Sequence, residues 1–176
     1  MKDYTNTIKH LTSAEMIARV TDTNRLTHLF YFQLGAAFER CHNIKEAEKN
    51  FRKCLSLQPD FAEGLNYLGY MWAEHGTKLD QAREYIAKAL KQDPKNAAYL
   101  DSMAWVLYQL HQPKTALDYA LKALQNSEQE DATLYDHIGD IYNALGQKEK
   151  AKQAWNKSVS LEANDSVTKK IESSGK

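Results

Sequence analysis

Apolar side chains recur along most of this chain in the pattern that a pair of antiparallel helices needs. In the stretch HLFYFQLGAAFERCHNIKEAEKNFRKCLSLQPDF, Tyr31, Leu34, Gly35 and Phe38 share one face of a helix. Ala47, Phe51 and Cys54 share one face of a second helix, and Pro59 then ends it, because proline lacks the backbone N–H that a helix interior requires. Helices are therefore predicted over 25–40 and 44–57, joined by a tight turn.

The same pattern returns downstream. Residues 62–96 carry Leu65, Leu68, Gly69, Trp72, Ala82, Ile86, Ala89 and Pro94. The spacing here is one residue longer, and the extra residue falls in the turn HGTKLD, where Gly76 suits a left-handed position and Thr77 is placed to cap the next helix. Residues 97–131 carry Leu100, Met103, Ala104, Leu107, Ala116, Ala120 and Ala123, with alanine in the slots that glycine and a large residue fill elsewhere. Without a terminal proline, that segment leaves its stop to Asn126 and Ser127. Residues 132–165 restore Tyr135, Ile138, Gly139, Tyr142, Ala151 and Trp155, with Gly146 at the turn. His42 and His111 occupy the turn slot of Gly76 and Gly146, which predicts a helix-closing role for them.

The two ends depart from the period. Thr12-Ser13-Ala14-Glu15 has the form of a capping box with Leu11 and Met16 as its staple, so a short helix is predicted over 13–20 with Ala14, Ile17 and Ala18 on its apolar face. Residues 1–27 read either as a partial repeat with a capping helix or as a frayed leader. At the other end, Asp165 is placed to cap a last short helix, in which Val167 and Ile171 cover the final hairpin. Stacked hairpins need such covers, since a stack otherwise ends on an exposed apolar face.

Large residue, Leu-Gly, aromatic, then Ala, Phe and Pro over about 34 residues resembles the tetratricopeptide repeat. The resemblance runs from residue 28 to residue 165, and GYMWAEHG followed by YLDSMAWVLYQL is similar to the C-terminal repeats of larger bacterial envelope proteins of this type. It implies an all-α fold, a right-handed superhelical stack of four hairpins (28–61, 62–96, 97–131 and 132–165) with short helices at both ends, the last in 166–176. One continuous domain is implied.

The resemblance further implies that the first helix of each hairpin lines an inner groove through its second, fifth, ninth, twelfth and thirteenth residues. The candidate binding residues are then Phe32, Glu63, Asn66, Tyr70, Asp101, Trp105, Tyr108, Asp136, Asp140 and Asn143. Aromatic rings give large contact area at small entropic cost, and Asn and Asp can hold a peptide backbone or a cationic side chain. At the inner positions Glu39, Glu63, Glu74, Asp101, Asp136 and Asp140 face only Arg40, so the groove reads as acidic and aromatic. Some family members grip a terminal carboxylate with cations at set inner positions. Phe32, Ala36, Tyr67, Ala98 and Ser102 stand there instead, so that grip is not expected.

Composition narrows the function classes. Lys and Arg number 23 and Asp and Glu 23, a zero balance that argues against nucleic acid as partner. No apolar run approaches the length that inserts in a bilayer. Cys41 beside the turn and Cys54 well into the returning helix lie roughly 15 Å apart along it, too far for a disulfide, and a buried inert thiol is expected at Cys54. Asp136, His137 and Asp140 form the only compact set of metal-ligand types, but the imidazole points about 100° from Asp136, so no metal or cofactor is expected. No nucleotide loop, zinc pattern or nucleophile elbow occurs. The reading is a non-catalytic scaffold that binds an extended protein or peptide segment with basic residues, with a spacer or self-associating module of a larger repeat protein as the alternative.

Overall fold

The computed structural model describes residues 4–174, in which helices are joined by short links with no strand among them. The order is α1 (Tyr4–Thr21), a 3-10 turn (Thr23–Arg25), α2 (His28–Arg40), α3 (Ile44–Leu57), α4 (Ala62–Glu74), α5 (Leu79–Gln92), α6 (Ala97–Gln109), α7 (Pro113–Asn126), α8 (Ala132–Ala144), α9 (Lys148–Leu161) and α10 (Asp165–Ser173). Helices α2, α4, α6 and α8 have 13 residues each. Their partners α3, α5, α7 and α9 have 14 each. The chain divides into two compact units, Met1–Leu68 and Gly69–Lys176, with the boundary inside α4.

In the first unit, α2 and α3 form a hairpin whose interior is Tyr31, Leu34 and Ala37 against Ala47, Phe51 and Cys54. A Cβ on Gly35 would come within 2.8 Å of the Phe51 ring, so the glycine lets the two helices close over an aromatic. Cys54 is buried and Cys41 exposed, and neither is in a disulfide. Burial pushes the Cys54 thiol up to about 11, which makes it inert at neutral pH.

The N-terminal helix differs from its prediction. It is already formed at Tyr4, so the proposed capping box lies within the helix and caps nothing. Met16 and Ile17 are exposed, as is Ala14. The covered stripe is instead Tyr4, Ile8, Leu11, Glu15 and Ala18, spaced by fours and threes. Glu15 belongs to it because its carboxylate accepts the Tyr31 hydroxyl at 3.2 Å and pairs with Arg19 at 2.7 Å. A charged residue on the buried stripe hides the phase of the helix from a hydropathy reading. Residues 1–3, assigned to the same segment, and residues 175–176 of the tail lie outside the described residues.

Each first helix except α1 closes on a left-handed residue: His42 (φ 58°), Gly76 (φ 61°), His111 (φ 59°) and Gly146 (φ 73°). At the first of these, the His42 N–H donates to Glu39 O at 2.8 Å and the Asn43 N–H to Phe38 O at 2.9 Å, using up carbonyls that the helix end would leave unpaired. The histidines thus do close helices as their slot predicts, at a steric cost glycine would avoid. His42→Gly and His111→Gly are each expected to stabilise by about 0.5–1 kcal/mol, read as an upward shift of the urea midpoint at constant slope.

The cap of α5 is a correction. Lys78, itself left-handed at φ 49°, precedes the helix with no side-chain cap, and Thr77 does not cap it. The one-residue insertion is absorbed by a second left-handed turn after Gly76, which moves Thr77 out of the capping position.

In the second unit the hairpins repeat the same closure with different partners. A Cβ on Gly69 would meet Ile86 at 2.8 Å, and one on Gly139 would meet Trp155 at 2.3 Å. At the equivalent positions of the third hairpin, Ala104 and Ala120 are both fully buried, two mid-sized residues in place of one absent and one large side chain. Helix α7 stops at Asn126 with Ser127 as its C-cap, where its stop is predicted. Val167 on α10 packs with Ala151 and Trp155, flanked by Tyr142, Val159 and Ile171, and so covers the last hairpin. The cap of α10 is Asn164, not Asp165: its side chain accepts from the Ser166 and Val167 N–H groups, being one residue further back as a capping side chain must.

Candidate functional site

The first unit carries the early members of the candidate set. Phe32 is half-buried in an aromatic cluster, 5.0 Å from Tyr67, 5.3 Å from Phe61 and 5.9 Å from Phe51 between ring centroids. It is therefore held by packing on one side. Glu63 is exposed to solvent. Asn66 is only 6% exposed, yet its Oδ1 has no hydrogen-bond partner. A buried acceptor left unpaired costs about 1–3 kcal/mol, so such atoms are rare in folded chains.

The second unit gathers most of the rest. Trp105 on α6 stacks on Tyr108 at 5.0 Å and 21°, and on His137 of α8 at 4.2 Å and 16°. Tyr70 on α4 lies 6.2 Å from the same imidazole. Trp105 is half-buried, so its ring keeps an open edge, while its Nε1 is buried without an acceptor. Asn143 on α8 is exposed.

The acids of this unit are engaged from within the chain. His137, 4% exposed, places Nδ1 at 2.9 and 3.1 Å from the two carboxylate oxygens of Asp101, so Nδ1 carries the proton and donates. Burial, the largest influence, pulls the imidazole down, but Asp101, with Asp136 and Asp140 behind it, outweighs burial and holds the pKa above its usual value. Lys170 of α10 donates to Asp136 Oδ1 and to Asp140 Oδ2, both at 2.8 Å. Asp140 also accepts the indole N–H of Trp155 at 3.1 Å. Burial raises the Asp140 carboxyl above its ordinary range, with Lys170 opposing.

The excess of acid read from the inner positions is thus partly answered by cations that those positions do not include. Asp101 pairs with His137, and Asp136 and Asp140 with Lys170, while Glu39 pairs at 3.5 Å with Arg40, itself an inner position. Two carboxylates against one ammonium still leave a charge of −2 + 1 = −1 at the α8–α10 contact. His137 and Lys170 were missed by the sequence reading as members of the site. Asp136, His137 and Asp140 do not converge: the imidazole turns to α6 and the carboxylates to α10, and no group of metal-ligand side chains is assembled among the described residues.

Repeated hairpins of near-constant length, closed over glycine or alanine and bearing aromatic and polar side chains on their first helices, define a class: an all-α repeat scaffold. The family model described as Tetratricopeptide repeat matches residues 13–169. The chain belongs to the tetratricopeptide repeat family.

Among its relatives, the TPR repeat-containing protein PA4667 of Pseudomonas aeruginosa is 36% identical over 102 residues, 58% of this chain. The chain spans 17% of that relative's length. Among solved structures, the thermophilic TPR protein TTC0263 of Thermus thermophilus matches with a TM-score of 0.76 at 15% identity, over 97% of this chain and 90% of that one. The first TPR of Spaghetti (RPAP3), bound to the HSP90 peptide SRMEEVD, matches with a TM-score of 0.58 at 23% identity, over 65% of this chain and 90% of that one. Both likenesses are of fold. Tetratricopeptide repeats are in general protein-interaction modules without catalysis of their own.

Proposed function

We propose that this chain is a non-catalytic scaffold that holds an extended peptide or protein segment against the first helices of its hairpins. The residues proposed to touch it are Phe32, Glu63 and Asn66 in the first unit and Tyr70, Asp101, Trp105, Tyr108, Asp136, Asp140 and Asn143 in the second. One observation carries the reading: in the second unit Trp105 stacks on Tyr108 and on His137, and the Trp105 and Tyr108 side chains stay partly open to solvent.

The aromatic faces support the same reading. Trp105 and Tyr108, stacked and fixed by His137, offer a rigid platform that loses little entropy on binding. The residual negative charge beside them, together with exposed Glu63 and Glu74, favours a segment that carries Lys or Arg. The peptide seen on the Spaghetti repeat is acidic at its end. A ligand of that kind is not proposed here, because the positions that grip a terminal carboxylate in some relatives hold Phe32, Ala36, Tyr67, Ala98 and Ser102.

Peptides selected from a random twelve-residue display library on the intact chain test this. Trp105→Ala is expected to weaken the selected peptides by at least ~10-fold, the cost of one buried aromatic anchor. Lys88→Ala, on the outer face of α5, is expected to leave them unchanged. Equal affinity for the intact and the Trp105→Ala chains, both folded by circular dichroism, would remove the first helices from the binding surface.

A further inference from the structure

The helix that covers the end of the array does more than cover it. Val167, 1% exposed, and Ile171 suffice to seal Ala151 and Trp155 from water. Lys170, on the same helix, bridges Asp136 and Asp140 on α8. Burial works against its charge, but the two carboxylates outweigh that and hold the ammonium protonated. Asp136 and Asp140 share α8 with His137, on which Trp105 stacks.

We propose that α10 is an internal ligand: Lys170 occupies the place on the Asp136–Asp140 pair that a lysine of a bound partner takes, and the partner binds by displacing α10. The inference rests on the binding function proposed above and names its regulation. Three features of the contact suit exchange. Lys170 keeps 30% of its side chain exposed, so water and an incoming ammonium can reach it. The Trp155 indole N–H holds Asp140 in place when the lysine leaves, so the acid pair stays aimed. Helix α9 ends at Leu161 and α10 starts at Asp165, a short link that lets the helix leave and return as one piece.

Tethering sets the strength of the competition. A segment on a short link acts at an effective concentration on the order of millimolar, and a partner's apparent affinity falls by the fraction of time the site is open. A partner therefore needs its own lysine together with contacts α10 does not make, such as those on the Trp105 platform.

The internal ligand supplies its own probe. A dye-labelled peptide ANDSVTKKIESS, residues 163–174, is titrated by fluorescence anisotropy against the intact chain, the Lys170→Ala chain, and the Lys170→Ala chain that also carries Asp136→Asn and Asp140→Asn. Expected is binding to Lys170→Ala at least ~10-fold tighter than to the intact chain, and loss of binding in the triple variant. Hydrogen exchange in α10 of the intact chain is expected to rise when the peptide is present. Equal affinity for the intact and Lys170→Ala chains would overturn the proposal. So would equally tight binding of a peptide carrying its own Lys170→Ala. The binding function is separable: display peptides that require Trp105 but ignore Lys170 leave it standing while removing the strap.

Discussion

Gly139→Ala is expected to destabilise the chain by about 2–4 kcal/mol, although alanine is the better helix former by about 1 kcal/mol. The added Cβ would lie 2.3 Å from both Cδ1 and Nε1 of Trp155 and 2.8 Å from Cγ. The indole cannot step aside cheaply: it is 3% exposed, packed against Ala151 and Val167, and its N–H is bonded to Asp140. Moving it would open the α8–α9 closure and break that bond together. A urea titration followed by far-ultraviolet circular dichroism measures the loss. The third hairpin shows the remedy, since Ala104 and Ala120 fill the equivalent slots there. Gly139→Ala combined with Trp155→Ala is therefore expected to cost less than the sum of the single changes, a coupling of about 1–3 kcal/mol. A neutral Gly139→Ala would mean the hairpin does not close as described.

Asp101→Ala is expected to cost about 2–3 kcal/mol near neutral pH, because it strands a buried imidazole that is held by this one carboxylate. The cost should depend on pH in a defined direction. The folded His137 pKa is raised above the ordinary value of 6.5, so the folded state binds the proton more tightly than the unfolded state. That part of the stability is complete below about pH 6.5 and is lost as pH rises through the folded pKa. The neutral imidazole still donates from Nδ1 to Asp101, so the gap between intact and variant chains narrows at high pH without closing. Asp101→Asn, which keeps an acceptor and removes the charge, should flatten the pH dependence and cost less. Urea midpoints across pH 5–9 check the slope, and proton NMR of the His137 ring checks the titration. A gap that widened with rising pH would contradict the pairing.

The backbone plan was legible because it is carried by local signals that repeat. Gly76, Gly146 and the two histidines in the same slot mark left-handed helix ends, and all four take that conformation. Gly35, Gly69 and Gly139 mark close helix approach, and each faces a large side chain on the returning helix. Where a single residue breaks the local rule, the reading slipped. Glu15 on the covered stripe of α1 rotated its expected face, and the second left-handed residue at Lys78 displaced the expected cap of α5.

The candidate site was legible in a different proportion. Position within a repeat indicates which residues share the face of a first helix: Tyr70 and Trp105 both lie against His137, and Tyr108 stacks on Trp105. It does not indicate which of them pair. Asp101 and His137 are 36 residues apart and sit at unlike positions of their two repeats. Asp136 and Lys170 are 34 apart, one repeat length, with the lysine on a helix beyond the four hairpins. Both contacts depend on how one helix leans on another, which position within a repeat does not specify. Of the acids at the inner positions, Asp101, Asp136 and Asp140 meet cations from outside those positions, His137 and Lys170.

The most direct test of binding along the first helices is an amide-resolved NMR titration of the intact chain with the tightest peptide from the display selection. Perturbations centred on Tyr70 in α4, on Asp101, Trp105 and Tyr108 in α6, and on Asp136, Asp140 and Asn143 in α8 are the expected result. Perturbations confined to α5, α7 and α9, with those residues silent at saturation, would place the binding surface on the opposite helices and contradict it.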